Sequence, residues 1–186
     1  VTAKAQSVPM GGSIAIGIEQ AELTGALDEH TLASVTLTPS STEVATTEGT
    51  VTPSAATIKD GETDVTANYS ISYESGALTV MPVVTFDSNG GSAVDTQMVN
   101  PGSKATKPSD PTNGSARFMG WYKVTNGQTA DTEFDFNTAI NENTALKAKW
   151  GYEITPQYNV LGSISFISGM VESNGYYGIV GENVVL

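Results

Sequence analysis

Phe118-Met119-Gly120-Trp121-Tyr122 decides the fold when it is read with two other stretches, Val84-Thr85-Phe86-Asp87-Ser88-Asn89-Gly90-Gly91 before it and Leu146-Lys147-Ala148-Lys149-Trp150 after it. Each stretch repeats its apolar or aromatic residues at intervals of two, the period at which side chains of a strand return to one face. Asn89-Gly90 follows the first alternating run, and both residue types tolerate positive φ, so a tight hairpin is predicted there. Between the second and third stretches stands Phe134-Asp135-Phe136. The strands predicted from Val83 onward are Val83–Asp87, Thr96–Asn100, Arg117–Val124, Glu133–Asn137 and Ala145–Trp150. Turns lie at Ser88–Ser92, Asp110-Pro111 and Asn113-Gly114. Strict alternation puts Phe118, Gly120 and Tyr122 on one face of their strand and Met119, Trp121 and Lys123 on the other.

The residues before Pro82 read as strands too. Ile14-Ala15-Ile16-Gly17-Ile18 sets three isoleucines on one face, and Val35-Thr36-Leu37-Thr38 repeats the pattern before Pro39. Another strand starts at Val51-Thr52-Pro53 and runs to Ile58 before the turn Lys59-Asp60-Gly61. Asn68-Tyr69-Ser70-Ile71-Ser72-Tyr73 alternates large apolar with small polar residues. With a turn at Ser75-Gly76 and a return over Ala77–Val80, a hairpin is predicted. From Glu19 to Leu32 the apolar residues are scattered and Gly25 interrupts them, so no helix is predicted beyond a single turn. Pro82 cannot donate to a ladder and drives Met81 out of helical conformation, so Met81-Pro82 reads as a short extended joint between two domains.

Composition agrees with β-structure joined by polar turns. Only 15% of the 186 residues are charged and 39% are hydrophobic, with Thr, Ser, Gly and Asn making up much of the remainder. Eight Lys and Arg face twenty Asp and Glu, a formal net charge of −12. Without clusters of Lys or Arg the chain is unsuited to phosphate backbones or anionic lipid surfaces. Cysteine is absent, so no disulfide staples the modules. No apolar stretch approaches the roughly 20 residues of a membrane span, and no membrane insertion is expected. Val1-Thr2-Ala3-Lys4 is neither a signal peptide nor a start at Met, and reads as a mature or excised piece of a larger chain.

The ordered landmarks from Val83 to Trp150 closely resemble the internalin-type B-repeat (the Listeria–Bacteroides repeat), a small module strung along bacterial surface proteins. The resemblance implies a β-grasp-like, ubiquitin-related sheet in which Phe118, Trp121 and Trp150 belong to the hydrophobic core. Asn100-Pro101-Gly102 departs from the family, which commonly has a bulky residue before the glycine. Residues 1–81 resemble the MBG-type domains of bacterial adhesin-like proteins. The resemblance is carried by Val1-Thr2-Ala3-Lys4-Ala5-Gln6 and by Ala67–Tyr73, Gly76 and Leu78-Thr79-Val80, although Met10-Gly11 stands where those families have Tyr-Gly. Gly151–Leu186 resembles neither. It is expected either to dock as strands on the preceding module or to be the cut beginning of another domain.

No constellation in the chain points to catalysis. His30 is the single histidine and no cysteine is present to complete a zinc set; it is expected in a solvated loop. No Gly-x-Ser-x-Gly elbow occurs. Asp87-Ser88-Asn89-Gly90-Gly91 superficially looks like a calcium loop, but Met98 occupies the position where such a loop needs its bidentate Glu. Glu133, Asp135 and Asn137 would share one strand face opposite Phe134 and Phe136, which alternation explains without a cation. Lys147 and Lys149 are expected to face outward and guard against edge-to-edge pairing. Tyr122 is left as the candidate for an exposed, ligand-contacting aromatic.

The expectation is therefore a mainly β chain of two small tandem modules, 1–81 and 82–150, followed by 151–186. No catalytic residue, metal or cofactor is assigned. The expected role is that of a monomeric, non-catalytic part of an extracellular, cell-surface or cell-wall-attached bacterial protein. It would serve as a spacer or in adhesion to host protein or glycan. The alternative is an accessory region of a large extracellular enzyme.

Overall fold

The short polar and β-branched segments of this chain form strands of very unequal length, and most breaks between them fall at positive-φ residues. The computed structural model describes residues 1–153, 171–172 and 176–179. They divide into two units. The first takes Val1–Val83, Met98–Lys104 and Ala139–Asn143; the second takes Val84–Gln97, Ala105–Thr138 and the described residues from Thr144 onward. The chain is mainly β, as its sequence predicts.

In the first unit the strands are β1 (Thr2–Ala3), β2 (Gln6–Pro9), β3 (Ala21–Glu22), β4 (His30–Pro39), β5 (Thr46–Asp60), β6 (Thr63–Asp64) and β7 (Gly76–Met81). One sheet runs in the order β2-β7-β5-β4 with β6 on β5, and β1 pairs separately with β3. β2 and β7 are parallel, whereas β7–β5 and β5–β4 are antiparallel. Val8, Leu37, Val51, Ala56, Leu78 and Val80 are buried between them, and Ile14, Leu32 and Ile71 pack on this cluster. Burial along β5 does not keep a single phase. Val51 and Pro53 are buried, Ser54 and Ala55 are exposed, and burial resumes at Ala56 and Ile58. Ala55 has φ 49°, and this extra residue resets the alternation so that both halves of the strand face the core.

Two predicted strands of this unit are not strands. Ile14–Ile18 is extended chain that ends in a 3-10 turn at Ile18–Gln20, leaving Ile16 and Ile18 exposed. Its backbone bonds are supplied by a side chain. The Gln6 amide donates through Nε2 to the Ala15 carbonyl (2.9 Å) and accepts the Ala15 N–H at Oε1 (2.8 Å), as a strand neighbour would. The predicted hairpin of Asn68–Tyr73 with Ala77–Val80 also does not form, because β7 finds its partners in β2 and β5. The Tyr73 hydroxyl instead accepts the Ala56 N–H (3.0 Å), beside the bulge.

Only Pro82 separates β7 from β8 (Val83–Asp87). The later strands are β9 (Gln97–Met98), β10 (Arg117–Thr125), β11 (Gln128–Thr129), β12 (Thr144–Glu153), β13 (Val171–Glu172) and β14 (Tyr176–Ile179). Around β12 the order is β9-β8-β12-β10-β11, with β8 parallel to β12 and β10 antiparallel to it. That order does not conflict with the β-grasp-like expectation, and the connection from β9 to β10 contains no helix. β14 pairs with the end of β12 at Gly151–Glu153, and β13 pairs with β14. Of the remaining C-terminal features, Ser163–Ile167 and Val184–Leu186 lie outside the described residues.

The second unit's core is aromatic. Trp121 is fully buried and Trp150 nearly so. Phe118 lies edge-on to both, with centroids at 5.4 Å and 5.5 Å, and Phe86 meets Trp121 at 5.0 Å. Strict alternation would separate Phe118 from Trp121, and a β-bulge corrects this. The β10–β12 register slips between Phe118 and Gly120, and Gly120 takes φ 121°. One extra residue turns both rings to the same side. Two further expectations change. Glu133–Asn137 is not a strand: Asp135 Oδ1 accepts the Asn137 N–H (2.8 Å) in a local turn. Asn89 and Gly90 do adopt positive φ, 49° and 89°, but the chain after them reaches β9 through a loop rather than a tight hairpin.

That turn is clamped by Trp150. The Ser88 carbonyl accepts the Gly91 N–H (3.0 Å) and also the Trp150 indole N–H (2.9 Å). Asn89 Nδ2 donates to the Ala148 carbonyl (3.2 Å). Gly91 lies so close to the Trp150 ring that a Cβ there would collide with Cζ2. Gly91→Ala should therefore destabilise the protein by about 1–3 kcal/mol, the range for overpacking a filled core. Trp150→Phe, which removes the indole donor, should cost at least about 1 kcal/mol. Urea unfolding curves of the two variants against the parent protein check both values.

Candidate functional site

The outer face of the β10–β12 pair, opposite the aromatic core, carries the residue singled out as an exposed aromatic. Leu146, Ala148 and Trp150 are buried, so Lys147 and Lys149 point the other way. Tyr122, two residues past the bulge glycine, pairs with Lys147 and stands on this outer face. It is half-buried. Lys149 Nζ sits 4.3 Å from its ring centroid, a cation–π contact. The Tyr122 hydroxyl donates to the Met119 carbonyl at 3.4 Å. Lys147 Nζ reaches Asp87 Oδ2 at 3.5 Å. The two lysines do not guard a sheet edge, since β12 is flanked by β8 and β10. They pair with groups on their own face instead. Desolvation, reinforced by the Glu133 carboxylate, raises the Tyr122 phenol above its ordinary value.

His30 is not in a solvated loop. It opens β4, its side chain is 12% exposed, and its Nδ1 lies 2.6 Å from the Tyr69 hydroxyl. Nε2 faces Asp60 Oδ2 at 3.8 Å. Tyr69 Oη also accepts the Leu27 N–H (3.2 Å). The His30 and Tyr69 rings meet edge to face at 5.8 Å. The three side chains come from β4, the end of β5 and the extended segment after β6, and tie those ends together. Nothing local in the sequence marks the triplet, because 39 residues separate His30 from Tyr69. A cleft of about 100 Å³ nearby is lined by Leu23, Thr24, Tyr69, Ser70 and Ile71 among others. That is well below the roughly 300–1,000 Å³ of small-molecule sites.

The remaining candidates do not converge. Glu133 is 3.9 Å from Lys107 and its carboxyl lies over Gly120, while Asp135 binds Asn137. Among the described residues no group of three or more His, Asp or Glu side chains is arranged to hold a metal ion. Nor is any helix long and apolar enough to cross a membrane. Met98, which stands in the calcium-loop position, is exposed on β9.

Comparison with known proteins assigns part of the chain. Residues 83–149 match the family model of the Listeria-Bacteroides repeat domain, a repeat typical of extracellular bacterial proteins. Over 96 residues the chain is 34% identical to a protein of Evansella cellulosilytica that carries a membrane-protein name. The alignment takes in 51% of this chain and 14% of that relative's length. No solved structure matches the chain.

Two outcomes are expected from the site geometry. Tyr69→Phe removes the acceptor of the Leu27 N–H and the partner of His30, and should destabilise the protein by about 1–3 kcal/mol in chemical denaturation. Tyr122 should ionise above the ordinary phenol value of about 10. Its native form holds the proton longer than the unfolded chain, so its contribution to stability is intact below that value. The contribution is lost as pH rises through the raised native value. Ultraviolet phenolate titration of the parent protein minus Tyr122→Phe reads this directly. Glu133→Gln should lower the value only partly, since desolvation is the larger cause.

Proposed function

We propose that this chain is a non-catalytic module pair of a bacterial cell-surface or secreted protein that acts as a spacer or in adhesion to host protein or glycan. The observation that carries the proposal is the match of residues 83–149 to a repeat of extracellular bacterial proteins. The matched residues include Phe86, Phe118 and Trp121 of the aromatic core, and Trp150 follows directly after them. In this proposal residues 1–81 are an MBG-type domain, a reading motivated by Ala67–Tyr73 and Leu78-Thr79-Val80. Contact would be through the outer face around Tyr122, whose ring is pre-ordered by Lys149. A single face of this size binds weakly, and useful affinity would come from several copies acting together.

The polar groups of both units support a passive role, because they complete the fold. The Gln6 and Gln97 amides, the Tyr69 and Tyr73 hydroxyls and Asp135 each satisfy backbone or neighbouring side-chain groups. An adhesive role predicts that a multivalent display of the protein is retained on an array of host glycans and extracellular-matrix proteins, and that Tyr122→Ala reduces retention at a temperature where circular dichroism shows the variant still folded. Uniformly negative arrays would leave the spacer role alone. Surface exposure predicts that antibody raised to the protein labels intact cells of the bacterium that encodes it. Labelling only after lysis would overturn the surface assignment.

A further inference from the structure

We propose that Asn126-Gly127 is a self-modifying site, at which the folded protein converts Asn126 to isoaspartate and aspartate through a cyclic imide. The chemistry needs only an asparagine side chain free to rotate, a following residue without a Cβ, a backbone N–H that nothing holds, and water. Deprotonated Gly127 N attacks Asn126 Cγ. The N–Cγ bond forms, the Cγ–Nδ2 bond breaks, and ammonia leaves with the proton given up by the Gly127 amide. Water then opens the imide at either carbonyl and leaves a carboxylate on a normal or a lengthened backbone. No oxidant or reductant takes part, and each conversion adds one negative charge.

Four Asn-Gly pairs occur in the sequence, and the fold treats the three described ones differently. The fourth, Asn174-Gly175, lies outside the described residues. Asn89 and Asn126 have nearly the same φ, 49° and 50°, and each precedes a glycine of positive φ. The value of φ therefore does not separate them. What differs is restraint. Asn89 is fastened through its N–H to Asp87 Oδ1 (2.8 Å) and through Nδ2 to the Ala148 carbonyl, beside the clamped Trp150 ring. Asn113 is half-buried, its carbonyl accepts the Ala116 N–H (2.9 Å), and its amide lies against Gly90.

Asn126 is exposed at the two-residue tip joining β10 to β11, where Thr125 pairs with Gln128. Among the described residues its side chain makes no hydrogen bond, and none of them occupies the Gly127 N–H. Apart from its two chain neighbours, no described residue has an atom within 4 Å of where a Cβ on Gly127 would stand, so water and the tetrahedral intermediate have room. β11 is two residues long, so opening this tip disturbs little of the remaining sheet.

Trypsin separates the sites, placing Asn89 in residues 60–104, Asn113 in 105–117, Asn126 in 124–147 and Asn174 in 150–186. The folded protein is held in mildly alkaline, amine-free buffer and digested at intervals, and the deamidated forms are located by tandem mass spectrometry. Asn126→Asp serves as the chromatographic standard for the aspartate product. Asn126 should convert at least about tenfold faster than Asn89, the factor equivalent to about 1.4 kcal/mol of restraint. In denaturant the two rates should converge. The proposal is overturned if Asn89 converts as fast as Asn126 in the folded protein, or if the gap persists unchanged in denaturant. It is equally overturned if Asn126 stays intact while a peptide of residues 124–130 converts.

Discussion

The contact between the Trp150 indole and the Ser88–Gly91 turn is the constraint on which the second unit depends. One carbonyl, that of Ser88, accepts both the turn's own N–H and the indole N–H. The ring edge occupies the space a side chain on Gly91 would need. Because β8 and β12 run parallel and side by side, holding the end of β8 against the end of β12 fixes their register. The other rings then assemble on that pair: Phe86 from β8, Trp150 from β12, and Phe118 and Trp121 from β10. Burying two tryptophans stabilises a small module substantially, since each ring removes about 150–250 Å² from water. A single turn residue with a Cβ would separate these surfaces.

Both units reach their cores by breaking alternation. In β5 the extra residue is Ala55, and in β10 it lies at Met119-Gly120. A bulge allows one long strand to present apolar residues inward along its whole length although the sequence is out of phase across the break. It also leaves backbone groups without a ladder partner, and nearby side chains supply the missing bonds. Tyr73 takes the Ala56 N–H. Gln6 pairs with Ala15 and Gln97 with Thr106 through reciprocal amide bonds of 2.7–2.9 Å. A glutamine amide has the geometry of a peptide group, so it can stand in for one residue of a neighbouring strand. In the first unit this substitution satisfies Ala15 within Ile14–Ile18, a stretch that alternates like a strand but joins no sheet.

The polar side chains that looked like sites in the sequence are therefore occupied in structure. His30 joins β4 to Tyr69 and Asp60, and Asp135 closes a turn. Lys149 covers the ring of Tyr122. The two Asn-Gly turns of similar φ show the same division of labour from the other side. One is tied by hydrogen bonds to Asp87 and Ala148 and the other is left at an unrestrained tip. Asn126-Gly127 carries the same hairpin signal, joining β10 to β11 at a two-residue tip.

The sequence by itself determined the β class, the strand at Val83–Asp87 and the final strand through Trp150, because two-residue periodicity and turn residues are local properties of the chain. That Phe118, Trp121 and Trp150 belong to the core was implied by the resemblance to the repeat. Tertiary structure alone decided which strands pair, where alternation slips and which side chains replace a strand. Each of those depends on partners distant in sequence, as β12 meets β8 and Tyr69 meets His30. Phe118 and Trp121 carry the lesson most directly. Alternation placed them on opposite faces, and the demand of one core for both rings, met by a glycine able to take φ 121°, put them on the same one.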